Sequence, residues 1–169
     1  MTTTPTRNSS VRLAAGVLTG ILALYIALVA LGNITDFGTN QQFVRHVLAM
    51  DTTFKDHDLM WRAVTSTGLQ DTAYVLIIVW ETVAALVLIG GTWFWAWRKD
   101  DLARRISTYG LLMLLLLFGA GFIAIGGEWF SMWQSKTWNG EDAAIRVFTL
   151  AGVALLVNLL TGGRQEDAS

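Results

Sequence analysis

The chain has 169 residues, of which 53% are apolar and only 15% are charged, and its mean hydropathy is +0.48. Since a soluble domain carries about 25% charged residues, this composition excludes an ordinary water-soluble surface and favours an exterior that faces lipid. The formal net charge of −1 argues against nucleic-acid binding, and the absence of cysteine excludes disulfides, thiolate metal sites and covalent c-type haem.

The chain begins with a polar, threonine-rich segment, residues 1–10, which we expect to be disordered. Residues 11–162 are interpreted as a single four-span membrane domain, and residues 163–169 as a polar tail. The first apolar run has no small-residue cleavage site behind it, so we interpret it as a retained span and not as a removed signal peptide.

Four apolar runs are long enough to cross a bilayer, since a helix rises about 1.5 Å per residue and the hydrocarbon core is about 30 Å thick. They occupy residues 11–34, 72–95, 106–127 and 145–162. The runs are continuous and lack the in–out alternation of a membrane barrel, which predicts helices. The predicted fold class is therefore all-α, a four-helix transmembrane bundle.

Basic residues near the ends of the spans indicate the orientation. The N-terminal segment and the connection between the second and third spans contain Arg7, Arg12, Arg98, Lys99, Arg104 and Arg105. Lys and Arg in short connections concentrate on the cytoplasmic side of a membrane. We therefore expect both the N-terminus and the C-terminus to be cytoplasmic, and the connections 35–71 and 128–144 to form an outer cap.

The connection 35–71 is too long for a simple turn and is predicted to contain short helices that cap the outer end of the bundle. Asn40 is placed to cap the first helix, and a second helix is expected over residues 58–65. The first helix has an apolar stripe of Phe43, Val44, Val47 and Leu48. Such a stripe predicts burial but not its partner, so a lid over the helix ends and the roof of a pocket both remain open.

Glu81 is the most informative single residue of the sequence. Counted from Asp71, it lies about 15 Å into the second span, near the midplane. A carboxyl group there is expensive, so we expect it to face the bundle interior and to be neutral or paired. Tyr25 lies at a similar depth in the first span and Thr149 somewhat nearer the outside, and either could hydrogen-bond it. The group then either pins two helices together or forms a proton or ligand site.

A second polar group is expected at the outer helix ends. Asp36, Glu128 and Arg146 lie at those ends, and Arg45 and Arg62 lie in the cap. We expect salt bridges among them to lock the cap to the bundle, with a pocket for a polar head group as the alternative.

The sequence shows no catalytic, metal-binding or cofactor-binding pattern. Its two histidines, His46 and His57, lie outside the spans, whereas membrane haem anchors place axial histidines within them. No phosphate-binding loop, nucleophile elbow or metalloprotease helix is present. We therefore expect no enzymatic activity, no metal and no cofactor.

The segments NITDFGTNQQFVRHVLAMDTTF, MWRAVTS, YVLIIVWE and IGGEWFSMWQSKTWNGEDAAIRVF resemble an uncharacterised bacterial family of predicted small integral membrane proteins, domain of unknown function 2165. The resemblance extends over residues 33–148 and includes the spacing of the four segments. It implies a four-span bacterial membrane protein, which we expect in the cytoplasmic (inner) membrane, and it brings no activity and no catalytic residues.

Two functions are compatible with these patterns. The first expectation is a non-enzymatic accessory or assembly subunit of a larger bacterial membrane complex, embedded in the bilayer and touching other subunits. Phe54, Trp133 and Trp138 are the candidate partner contacts, because bundle packing explains them least. The alternative is a small transporter or a quinone- or lipid-binding membrane protein that uses Glu81 and the outer tryptophans.

The predicted topology is tested by single cysteines, which the cysteine-free chain allows without a background. Cysteines at Lys55 and Lys136 should react with a membrane-impermeant maleimide in intact cells, because both positions lie in the outer cap. A cysteine at Lys99 should react only after the cells are opened. The opposite labelling pattern would refute the orientation.

Overall fold

The computed structural model describes residues 5–162, which form helices and turns without a strand. The helices are α1 (Pro5–Thr35), α2 (Phe37–Ala49), α3 (Thr67–Ala96), α4 (Asp100–Leu115) with a π-helical continuation (Leu116–Trp129, the π segment), and α5 (Glu141–Leu160). Four stretches are long and apolar enough to cross a membrane: Ser9–Thr35, Thr67–Ala96, Asp100–Trp129 and Glu141–Leu160. The all-α fold with four spanning helices is thus confirmed.

Several helix ends differ from the predicted ones. Helix α1 begins at Pro5, so the part of the N-terminal segment that the structure describes is helical and not disordered; proline is favoured in a first turn. Helix α5 begins at Glu141, where Glu141 and Asp142 suit the positive end of the helix dipole. Residues 1–4 and 163–169, including the predicted tail, lie outside the described residues.

The cap helices also differ from the prediction. Helix α2 begins at Phe37, so Asn40 lies inside it, and the side chain of Asn40 donates a hydrogen bond to Asn33 at 2.6 Å in place of capping the helix. The second expected helix is reduced to one 3-10 turn, Met60–Arg62. The chain is extended after this turn because the N–H of Val64 donates to the carbonyl oxygen of Leu48 at 2.8 Å.

Helices α1 and α3 run antiparallel. The N-terminal turns of α3 extend beyond the C-terminal end of α1. Gly16 packs on Trp95, and Asn33, in the last turns of α1, hydrogen-bonds Glu81 at 2.7 Å. The turns of α3 that precede Glu81 therefore extend past the end of α1. Helix α2 packs beside this extension and occupies the position in the bundle that α1 leaves. We call this end, with α2 and the turns Met60–Arg62 and Met132–Gln134, the cap end.

The core lies along the axis of the bundle and is built from aliphatic side chains of all four spanning helices. Its largest fully buried members include Ile26, Leu88, Leu111 and Leu114. Small residues allow the helices to approach closely: a Cβ at Gly91 would lie 3.2 Å from the backbone nitrogen of Ser107. Close backbone approach through small residues is the usual means of helix association in lipid, where water does not drive the helices together.

The π segment was not anticipated from the sequence. The backbone N–H of Phe130 donates to the carbonyl oxygen of Ile125, five residues earlier, at 3.0 Å. The segment is 14 residues long, whereas most π-helices are single turns, often at functional sites. It also brings α5 close, since a Cβ at Gly119 would lie 2.7 Å from the Phe148 ring.

The close approach of α3 and α4 predicts a sharp response to one added methyl group. Gly91→Ala should lower the thermal unfolding midpoint in detergent, because overpacking a tight contact costs about 1–3 kcal/mol. Gly152→Ala is the matched control, since nothing lies within 4 Å of its added Cβ and alanine favours helix. Equal midpoints for the two variants would contradict the packing described.

Candidate functional site

The buried polar residues of the cap end include Asn33 and Glu81, which are 5% and 2% exposed and hydrogen-bond each other. The amide of Asn33 donates to Glu81 Oε2 at 2.7 Å and accepts from the amide of Asn40 at 2.6 Å. The hydroxyl of Tyr74 donates to the backbone carbonyl of Asn33 at 3.3 Å. Asn33 therefore connects α1, α2 and α3, and we call it with Glu81 the Asn33–Glu81 pair.

The level of Glu81 relative to α1 differs from the prediction. The sequence placed it level with Tyr25, but the structure pairs it with Asn33, eight positions further along α1. That expectation assumed that the spans end at a common height. Because α3 begins at Thr67 and extends past α1, Glu81, which lies halfway along α3, is level with the last turns of α1.

A cavity of about 240 Å³ lies beside the Asn33–Glu81 pair, enclosed by α1, α2, α3, the π segment and α5. Its polar lining residues are Tyr25, Asn33, Asn40, Tyr74 and Glu81. The remaining lining is apolar or glycine. The exposed lining residues are Tyr25 on α1, which is 44% exposed, Asn40 on α2 and Ala143 on α5, so the cavity opens where these three helices meet.

A second cavity, of about 160 Å³, lies under α2 between α3 and the π segment, and its lining has no polar side chain. The predicted apolar stripe of α2 forms its roof: Phe43, Val44, Val47 and Leu48. Phe43 and Phe122 line both cavities, and their rings stack with centroids 6.4 Å apart at 17°. With Val44 and Ile77, which also line both, these rings form the wall between a polar cavity and an apolar one.

Of the two expected hydrogen-bond partners of Glu81, one lies near it and the other does not. Tyr25 lines the same cavity as Glu81, whereas Thr149 is exposed on α5. The hydrogen bond to Glu81 comes from Asn33, which the sequence analysis did not select. The available signal was the position of Asn33 as an amide among apolar residues at the end of the first span.

The predicted outer polar cluster does not form. Arg45 instead makes a bidentate ion pair with Asp71, with both N–O distances at 2.8 Å, and this bond raises the pKa of Arg45. Asp36, Glu128 and Arg146 are exposed. Within residues 5–162, no ion pair joins two members of the predicted cluster. The reason is again the extension of α3, which brings Asp71 to α2.

Arg62, the remaining member of the predicted outer polar cluster, packs on aromatic rings. Its guanidinium carbon lies 4.8 Å from the centroid of Trp129 and 5.8 Å from that of Trp61. Trp61 and Trp129 meet edge to face at 5.6 Å, and both are exposed. The cation–π contact holds the turn Met60–Arg62 against the end of the π segment. Within residues 5–162, no three His, Asp or Glu side chains are grouped to hold a metal ion.

The three candidate partner contacts separate into two environments. Phe54 is 71% exposed, and it meets Trp133, which is 48% exposed, edge to face at 5.9 Å. The N–H of Phe54 donates to the Gln134 side chain at 2.9 Å, which ties the two cap connections together. Trp138 is half-buried and stacks on His46 at 4.7 Å and 12°. Trp138 thus belongs to the internal packing of the cap, whereas the Phe54–Trp133 pair remains exposed.

Comparison with known proteins assigns the chain to a family. The family described as predicted small integral membrane protein (DUF2165) matches residues 11–161. The chain belongs to this family. No curated protein and no solved structure matches it. The matched residues include all four spans, both cavities and the Asn33–Glu81 pair, so the site described above lies within the family region.

The Asn33–Glu81 pair predicts different effects for two substitutions. Glu81→Ala should destabilise the detergent-solubilised protein by about 1–3 kcal/mol, because it leaves the buried amide of Asn33 without an acceptor. Glu81→Gln retains an acceptor oxygen and should stay close to the wild type. Thr149→Ala, at an exposed position, is the control. Equal unfolding midpoints for the Ala and Gln variants would show that the hydrogen bond contributes nothing.

Proposed function

We propose that this small integral membrane protein is non-enzymatic and binds one amphipathic molecule of the bilayer, a lipid or a quinone. The observation that carries this proposal is the 240 Å³ cavity, which combines a buried carboxyl and amide with apolar walls and has exposed lining residues on the spanning helices α1 and α5. Ligand sites have this composition, mostly apolar with a few convergent polar groups. The accessory-subunit function, which was the first expectation from the sequence, is the second candidate.

The size of the cavity limits which part of a ligand it encloses. An engineered cavity of roughly 150 Å³ in another protein accommodates benzene, so a cavity of about 240 Å³ fits a ring-sized head group but not a whole lipid. The chain of the ligand would leave between Tyr25 and Ala143 and lie along α1 and α5. The apolar outer surfaces of these helices suit such a chain.

The polar groups favour binding over transport of protons. Ionisable residues inside membrane spans typically mark ligand or ion pathways, and Glu81 receives one hydrogen bond, from Asn33. A proton pathway needs a chain of acids or bases. Among the described residues that line the polar cavity, Glu81 is the only carboxyl group and no histidine or lysine accompanies it. A single binding site is the simpler function.

We further propose that the membrane is the bacterial cytoplasmic membrane, with both termini cytoplasmic. The end of the bundle opposite the cap carries Arg98, Lys99 and Arg105, all exposed. An excess of basic residues is typical of cytoplasmic connections. In this orientation the Asn33–Glu81 pair lies toward the outer half of the membrane.

The second candidate function, an accessory or assembly subunit, is favoured by the exposed aromatic pairs of the cap. Phe54 with Trp133 and Trp61 with Trp129 present large rings on segments outside the spanning helices. Aromatic residues are enriched in the cores of protein interfaces. Ligand binding and attachment to a partner do not exclude each other, so both are tested together.

The mouth of the cavity provides the decisive substitution. Native mass spectrometry of the full chain, released gently from its native membrane, should show one bound amphiphile per chain. Ala143→Trp should abolish it, because this exposed position lines the cavity at its opening. Val153→Trp is the matched control, since Val153 is exposed on the same helix and lines neither cavity.

The same experiment separates the two candidates. Retention of the same bound molecules by both variants, or their absence from the wild type, would overturn ligand binding at this site. Trp133→Ala removes one half of the exposed Phe54–Trp133 pair. A copurifying polypeptide that is lost on Trp133→Ala, with no change in the melting temperature of the isolated chain, would establish the accessory function.

A further inference from the structure

The polar cavity contains no positive charge. Among its described lining residues there is no lysine, arginine or histidine. The guanidinium of Arg45, on the neighbouring helix α2, is held by Asp71, and Arg146 is exposed on α5. A phosphate or carboxylate removed from water needs a cation or several donors to offset its desolvation. The cavity supplies no cation, the donors of Asn33, Asn40 and Tyr74 bond within the site, and Glu81 brings a further acid.

The hydrogen-bonding groups that remain suit one neutral group. Glu81 Oε2 and both ends of the Asn33 amide are already engaged, and the Tyr74 hydroxyl is bonded to Asn33. The second oxygen of Glu81, the hydroxyl of Tyr25 and the rest of the Asn40 amide are left for a ligand. An ammonium group would have to lose its water shell among walls that are otherwise apolar. A hydroxyl or carbonyl group requires one or two bonds and fits.

One wall of the cavity is aromatic. The rings of Phe118 and Phe122 stack at 5.4 Å and 23°, and Phe43 continues the stack at 6.4 Å and 17° from Phe122. All three side chains line the polar cavity. Aromatic rings pack favourably on one another at centroid distances of roughly 4.5–7 Å, so this wall is suited to a planar ring.

We propose that the ligand is an amphiphile with an uncharged planar ring that bears a hydroxyl or carbonyl group, of the phenol or quinone class, and with an apolar chain. The inference rests on the proposed function and selects among bilayer amphiphiles. It excludes phospholipids and fatty acids as the specific ligand. The ring lies against Phe118 and Phe122, and its oxygen bonds to Glu81.

Matched probes test the charge and the polarity of the head group. The full chain is reconstituted in phosphatidylcholine nanodiscs at pH 7 and titrated separately with 4-decylphenol, 4-decylbenzoate, 4-decylbenzylammonium and decylbenzene. Binding at the site is defined as the part that Ala143→Trp removes and Val153→Trp retains. At pH 7 the phenol is neutral, because phenolic groups ionise near pH 10. We expect 4-decylphenol to bind at least tenfold more tightly than each of the other three.

The ring and the hydrogen bond are tested separately. 1-Decanol carries the hydroxyl without the ring and should bind at least fivefold more weakly than 4-decylphenol. Glu81→Ala should weaken 4-decylphenol binding at least fivefold relative to decylbenzene binding in the same variant. Glu81→Gln should retain most of the phenol affinity, which distinguishes a lost hydrogen bond from a disturbed fold.

The outcomes distinguish this inference from the proposed function. Tighter site-specific binding of 4-decylbenzoate or 4-decylbenzylammonium would overturn the uncharged head group while leaving a ligand site. Equal binding of 1-decanol and 4-decylphenol would overturn the planar ring. If none of the probes binds at the site but the native amphiphile is still lost on Ala143→Trp, the inference alone fails. If no native amphiphile is present either, the proposed function fails with it.

Discussion

The hydrogen bond from Asn33 to Glu81 determines how the cap end is built. An unpaired polar group in an apolar bundle costs several kcal/mol, and Glu81 finds its partner in the last turns of α1. The end of α1 is thereby level with Glu81, and α3 continues past it. The bond from Asn40 to Asn33 then holds α2 in the position that α1 leaves. The register of the bundle and the placement of the cap helix follow from this one contact.

The cavities are a consequence of the same arrangement. A separate helix of 13 residues replaces the end of α1, and it meets its neighbours through large side chains such as Phe43 and Val44 in place of the small residues used lower in the bundle. On the opposite side, the π segment faces α2 with Gly121 and Gly126. The large side chains of α2 and the glycines of the π segment leave unfilled space between them, which forms the two cavities. The cavity that Glu81 lines is polar, and the other cavity is apolar.

The sequence correctly predicted those features that depend on a single segment of the chain. The four spans, the burial of Glu81 and the apolar stripe of α2 follow from composition and period, and all are present. Relative heights of helices are not encoded in any one segment, so the partner of Glu81 and the pairing of Arg45 with Asp71 were missed. The π segment escaped prediction because its apolar run satisfies an α-helix equally well.

The position of the opening has a consequence for how the site would be filled. Tyr25 and Ala143, two of the exposed lining residues, belong to the spanning helices α1 and α5. A molecule that enters there comes out of the bilayer, and its supply is counted as a mole fraction of the surrounding lipid. Diluting a vesicle suspension with buffer leaves that fraction unchanged, whereas adding empty lipid lowers it. Occupancy then behaves as a two-dimensional partition equilibrium, insensitive to the volume of water outside.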